Sequence, residues 1–251
     1  MLSCRVLLAT ALLLPAFASA QLVEEYNPAR AGCCLASTAQ NLANALLDWN
    51  QLGRYHADNE KLKAQPAEPG RVVFMGDSIT DGWKLSQYFP GKPYVNRGIS
   101  GQTTPQMLVR WFEDVINLKP AAVLIYAGTN DIARNTGPET IEMVEENFQA
   151  MTELAQQHGI KVILCAVTPV SDYGPRKMTD GRPPSDILKL NAWLKTYAAK
   201  THSVYADYFS AVVDDKGMLR EGLSKDGLHP NEKGYELLAP VAAAAIQQAL
   251  K

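Results

Sequence analysis

From residue 71 onward, short apolar runs recur along the chain at 71–75, 94–99, 121–126, 160–167 and 203–206. Val72, Val73, Phe74 and Met75 are typical. They form an unbroken apolar stretch with no polar alternation, the pattern of a strand buried on both faces. Helical periodicity fills the gaps at 104–118, 138–158 and 185–200. The second of these opens on Gly137, Pro138 and Glu139. Proline suits a first turn, and an acid there complements the positive end of the helix dipole. A last helix over about 232–250 aligns Tyr235, Leu238, Ala239, Ala242, Ile246 and Leu250 on one face. Strands alternating with helices through short connections predict a parallel sheet between two helical layers.

The expected architecture is therefore an α/β fold, a three-layer α/β/α sandwich around a flavodoxin-like, doubly wound sheet of five parallel strands. Two stretches lie outside that alternation. Residues 21–69 place Leu35, Leu42, Ala45, Leu46 and Trp49 at helical spacing and end at Pro66, Pro69 and Gly70. They predict one or two helices docking on a main domain that spans 70–251. Residues 169–184, rich in Pro and Gly, make an unusually long connection after the fourth strand. A loop of that length is usually functional, and this one is expected to wall or cover a substrate site.

Composition narrows the function without naming it. The 251 residues are 47% hydrophobic and 20% charged with a net charge of −2. No basic surplus points to nucleic acid, and no segment reaches the length of a stable membrane insertion. Residues 1–20 stand apart: Arg5 precedes an apolar run from Val6 to Leu14, then Pro15 and Ala18, Ser19, Ala20. That is the form of a secretory signal peptide cut after Ala20, so the mature chain is expected in the periplasm or outside the cell. Cleavage would leave Cys33, Cys34 and Cys165, an odd count. Cys165 lies in an apolar run and reads as a core residue. The spacings fit no zinc site.

Four stretches with chemical content follow the predicted strands. They are Gly76–Asp77–Ser78, then Ser100–Gly101–Gln102, then Thr129–Asn130–Asp131, and finally Asp226 with His229 before the last helix. In a parallel sheet such stretches meet at one edge, where α/β folds bind ligands. Taken singly each has a plain structural explanation: Ser78 or Asp77 as a helix cap, Gly101 as a turn residue, Asn130 as an Asx turn. Taken together they supply a hydroxyl nucleophile (Ser78), a base near neutral pH (His229) and a carboxylate to orient it (Asp226). Gly101 adds an unobstructed backbone N–H and Asn130 a neutral side-chain donor for an oxyanion. Asp207, after the fifth strand, is a rival orienting carboxylate, ranked lower because Asp226 shares a short loop with His229. Asp77 and Asp131 are expected to tie their own turns together.

These four blocks, in this order over about residues 70–250, resemble the SGNH (GDSL-type) hydrolase superfamily of serine esterases and lipases. The resemblance implies a flavodoxin-like fold, no metal or other cofactor, and an oxyanion hole made by the Ser78 and Gly101 N–H groups with the Asn130 side chain. Ile79 stands where this family often has Leu. The absence of G-x-S-x-G around Ser78 separates the chain from the common α/β-hydrolases. Trp83, close after the nucleophile, and Tyr173, in the long loop, are candidates to line a sugar or acyl pocket. The expected substrate is a small ester or an acylated carbohydrate, with short acyl groups such as acetate. A lysophospholipase- or thioesterase-like acylhydrolase is the alternative enzyme, and a non-catalytic carbohydrate-binding protein of the same fold is the alternative of another class.

Overall fold

The computed structural model describes residues 35–251; the expected leader, Cys33 and Cys34 lie outside that range. The chain divides into one unit ending at Leu42 and one running from Ala43 to Lys251. Helices α1 (Leu35–Leu47) and α2 (Gly53–Lys63) come first. The strand–helix alternation follows as β1 (Val72–Gly76), α3 (Ser78–Asp81), α4 (Leu85–Tyr88) and β2 (Tyr94–Gly98). Next come α5 (Thr104–Val109), α6 (Trp111–Asp114), a single 3-10 turn and β3 (Ala122–Tyr126). Then α7 (Thr129–Ile132), α8 (Ile141–Gln157) and β4 (Lys161–Cys165) lead to α9 (Pro184–Lys200) and β5 (Val204–Ala206). Helices α10 (Tyr208–Val212) and α11 (Glu232–Ala249) close the chain.

All five strands are parallel, in the order β2-β1-β3-β4-β5. This is the flavodoxin-like order, with its switch point where the windings to either side of β1 diverge. Every residue of β1 and β3 is buried, as their unbroken apolar runs require. The C-terminal ends of β1, β2 and β3 lie side by side: Gly76 pairs in register with Gly98 and with Tyr126. Gly76 is where β1 must meet α3 closely. A Cβ there would sit 2.1 Å from Thr80 Oγ1 and 2.8 Å from the Tyr126 carbonyl, so no larger residue fits without moving backbone.

Two expectations change. Helix α8 begins at Ile141 rather than at Pro138, because Thr140 caps it by accepting from the Met143 N–H at 3.3 Å. The stretch 104–118 is not one helix but α5, α6 and a 3-10 turn, with Arg110 between the two helices. Helices α1 and α2 differ in how their side chains are covered. Leu46 and Leu47 are 80% and 84% exposed, whereas Asn59 of α2 is fully buried. Asn59 donates to Asp114 Oδ1 at 2.6 Å and accepts from Arg97 Nε at 2.9 Å.

Candidate active site

Ser78, Gly101 and Asn130 sit just beyond the ends of β1, β2 and β3, whereas Asp226 and His229 sit in the turn before α11. Asp77 caps α3 by accepting from the Ile79 N–H at 2.9 Å, which sets Ser78 as the first helical residue. Helix α3 is held from behind by α11, whose Tyr235 hydroxyl donates to the Ile79 carbonyl at 2.8 Å. Asp226 and His229 occupy the turn before α11. There Asp226 Oδ1 accepts from the backbone N–H groups of Leu228 and His229 at 3.0 and 2.9 Å. Ser224 completes the turn, its hydroxyl donating to Asp226 Oδ1 at 3.0 Å.

The structure brings Ser78, His229 and Asp226 into one line. His229 Nε2 lies 2.9 Å from Ser78 Oγ, and His229 Nδ1 lies 2.6 Å from Asp226 Oδ2. Partial burial acts to raise the Asp226 carboxyl, but the hydrogen bonds from the His229 ring, the His229 and Leu228 N–H groups and Ser224 outweigh it. The net effect holds that carboxyl well below the ordinary carboxylate range. An ionised Asp226 against Nδ1 favours the tautomer with its proton on Nδ1, leaving Nε2 free to accept from Ser78. Asp207 is engaged elsewhere: its carboxylate caps α10 through the Ser210 N–H and hydroxyl at 3.1 and 2.8 Å.

Gly101 takes the left-handed backbone conformation, φ +83°, which explains why glycine stands there better than an open face alone would. Asp81 anchors this loop to α3 by accepting from the Ser100 N–H and hydroxyl at 3.1 and 2.7 Å. Asn130 is buried in α7, and its Nδ2 donates to the Gln102 carbonyl at 3.0 Å. Asp131 reaches across rather than tying its own turn: it accepts from the Thr104 N–H and hydroxyl at 2.8 and 2.5 Å, locking the loop after β3 to the loop after β2. Asp77 Oδ2 is buried without a partner among the described residues. Burial pushes that carboxyl up to about 7, with the nearby Asp131 adding to the effect.

The two residues expected to line the substrate pocket part company. Trp83 is 3% exposed, inside a ring cluster with Phe74, Tyr88, Phe89, Tyr208 and Tyr235. It is a core residue under the site, since the turn after α3 drives its indole inward, and it has no face open to a sugar ring. Tyr173 is 39% exposed and donates to Asp214 Oδ2 at 2.7 Å. Its loop packs on the Asp226 turn, where the Ser171 N–H donates to the Gly227 carbonyl at 2.8 Å. A groove of about 790 Å3 opens beside His229, lined among others by Lys84, Gln87, Tyr88, Lys225 and Lys233. Cys165 is buried and free. Away from the site, His56, Glu60 and Glu113 cluster closely enough to hold a metal ion. The Lys63 ammonium already bridges the two carboxylates at 2.6 and 3.2 Å.

Sequence reading missed Ser224, Thr104 and Arg182 as parts of the site. A Ser two residues before a functional Asp is a recognisable turn-forming signal. Thr104 and Arg182 carry none, because their partners are distant in sequence.

Residues 74–237 match the GDSL-like Lipase/Acylhydrolase family. The chain belongs to this family, and with it to the SGNH superfamily of carboxylic ester hydrolases. It is similar to a GDSL-like lipase from Bacteroides thetaiotaomicron of known structure, at 38% identity and a TM-score of 0.74, covering 81% of this chain and 100% of that one. It is also similar to an acetylxylan esterase of Xylanibacter ruminicola, 26% identical over 230 residues, 74% of this chain and 45% of that enzyme. The Pseudomonas aeruginosa protein Esterase TesA is 26% identical over 183 residues, 67% of this chain and 84% of the other. The chain thus spans just under half the length of the acetylxylan esterase and most of the other two. No helix among the described residues is long and apolar enough to cross a membrane.

Proposed function

We propose that the protein is an exported serine esterase that removes short acyl groups, acetate above all, from carbohydrate. The observation that carries the catalytic part is the continuous hydrogen-bond line Ser78–His229–Asp226, at 2.9 and 2.6 Å. In this reading His229 accepts the Ser78 proton as Oγ attacks the ester carbonyl. The imidazolium formed is stabilised by Asp226 and then protonates the departing alcohol. Water attacks the acyl-enzyme in the second half, with His229 again as base. The developing oxyanion is met by the N–H groups of Ser78 and Gly101 and by the Asn130 amide.

For the substrate, support comes from the side of the site on which the alcohol must leave. The leaving oxygen has to lie at His229 Nε2, and the groove beginning at His229 is lined by lysine, glutamine and tyrosine side chains. Such a lining suits a hydroxyl-rich alcohol. Similarity to an acetylxylan esterase points the same way. Export is inferred from the N-terminal residues, with residues 70–251 as the catalytic part.

The test is acyl-chain preference. Nitrophenyl esters from acetate to palmitate are assayed beside acetylated xylan and a lysophospholipid, with Ser78→Ala as the blank. An optimum at acetate, with acetate released from xylan, is expected. A long-chain optimum would shift the reading to an acylhydrolase of lipids. Turnover by Ser78→Ala equal to that of the wild type would remove the mechanism.

A further inference from the structure

The long connection after β4 returns to the site through one side chain, Arg182. Its Nε donates to Thr129 Oγ1 at 3.1 Å and its Nη2 to Asn130 Oδ1 at 3.2 Å. From the opposite side, Asn130 Nδ2 donates to the Gln102 carbonyl at 3.0 Å. A guanidinium can only donate and a backbone carbonyl can only accept. The two partners therefore admit one orientation of the amide, with its oxygen toward Arg182 and its nitrogen toward Gln102. One N–H of that amide is then engaged, and the second has no partner among the described residues.

Such fixation matters because the terminal torsion of Asn is soft. A donor aimed at developing charge stabilises it fully only when it is already in place before the reaction. Gln102 alone holds one corner of the amide; Arg182 holds the other. The acceptors belong to consecutive residues, Thr129 and Asn130, and the planar fork of arginine spans both with separate N–H groups, which a lysine point charge cannot do. Burial lowers the Arg182 guanidinium below its ordinary value, and the nearby Asp77, Tyr126 and Asp226 offset that only in part.

We propose that Arg182 is a positioning residue: it locks the Asn130 amide with one N–H free for the oxyanion, and so makes the 169–184 loop part of the catalytic apparatus. This rests on the reading of Asn130 as an oxyanion donor. Arg182 need not touch the substrate to act in this way.

A double-mutant cycle on nitrophenyl acetate tests it, with thermal unfolding of each variant measured alongside. Arg182→Ala is expected to lower kcat about tenfold with KM within about twofold of wild type. In an Asn130→Ala background the same change is expected to have no further effect. An equal loss in both backgrounds would overturn the proposal, as would an unchanged kcat for Arg182→Ala where Asn130→Ala is impaired. If Asn130→Ala itself retains full kcat, the oxyanion reading fails and the proposal with it. Should Arg182→Ala not fold, Arg182→Lys keeps the charge without the fork and enters the same cycle. Its partial loss must likewise vanish beside Asn130→Ala; persistence there overturns the proposal.

Discussion

Tyr235 and Ile79 are 156 residues apart in sequence, yet the Tyr235 hydroxyl donates to the Ile79 backbone carbonyl at 2.8 Å. The contact joins α11 to α3, the helix that begins at Ser78, and behind it the Tyr235 ring packs on Trp83 at 5.2 Å. The turn bearing Asp226 and His229 leads directly into α11, so one bond links the supports of both halves of the Ser78–His229–Asp226 line. Tyr235→Phe keeps the ring packing and leaves the carbonyl without its donor. The expected loss of stability is about 1–2 kcal/mol, read from the shift of a urea unfolding midpoint. A wild-type midpoint would show that the phenol has no role in joining the helices.

The residues proposed to carry catalysis should separate in kinetics. Ser78→Ala is expected to abolish ester turnover with an unchanged unfolding midpoint. Asp226→Asn should lower kcat by about 10⁴, since it presents Nδ1 with a partner that no longer enforces the tautomer. Asn130→Ala should lower kcat by about 10² to 10³. Steady-state assays on nitrophenyl acetate decide each; an Asp226→Asn variant within tenfold of wild type would leave His229 oriented by something else.

The sheet was legible because its strands are buried on both faces, which forces unbroken apolar runs such as 72–75 and 122–126. The candidate site is legible in part because a parallel sheet collects strand ends, which brings Ser78, Gly101 and Asn130 to one edge, and because Asp226 and His229 share the short turn before α11. What escaped depends on partners far apart in the chain. Trp83 stands five residues after Ser78, but only packing against Tyr208 and Tyr235 turns it into the core. Asp131 was expected to bond within its own turn, whereas its carboxylate spans to Thr104. Arg182 is one cation among several in its loop, and nothing local marks it as the residue that reaches Asn130. Glu139 reads as a first-turn helix acid, yet α8 starts after it.

The buried ion pair under the site yields a stability prediction. Arg110 is fully buried and donates to Asp114 Oδ2 at 2.8 Å, to Gln102 Oε1 at 2.6 Å and to the Gly76 carbonyl at 3.2 Å. Asp114→Ala leaves that guanidinium uncompensated and also removes the acceptor of Asn59. The expected cost is about 3–5 kcal/mol, much more than an exposed pair would show. A control such as Glu142→Ala, which breaks the exposed pair with Lys189, should shift stability by less than about 1 kcal/mol. Equal shifts for the two variants would mean that the buried pair is not under strain when broken.

Glu139 and Asp131 predict how stability responds to pH. Burial raises the Glu139 carboxyl to about 7, with the charge and hydrogen bond of Asp131 adding to it. Burial raises Asp131 as well, against the opposing bonds from Thr104. Asp131 Oδ2 and Glu139 Oε2 are both buried and lack any ordinary donor among the described residues. A proton shared between the two carboxyl groups satisfies both. A carboxyl whose folded pKa lies above its unfolded value favours the native state while protonated. Its contribution is complete below the unfolded value of 4.5 and is lost as pH rises through about 7. Asp226 has the opposite sign: its contribution is present above 3.8 and lost as pH falls below that. Glu139→Gln carries a permanent donor in place of the shared proton. It should therefore unfold at higher temperature than wild type at pH 8, and the difference should close as pH is lowered toward 4.5. Thermal unfolding of the two proteins across pH 4.5–8 measures this directly, and a gap independent of pH would rule out the shared proton.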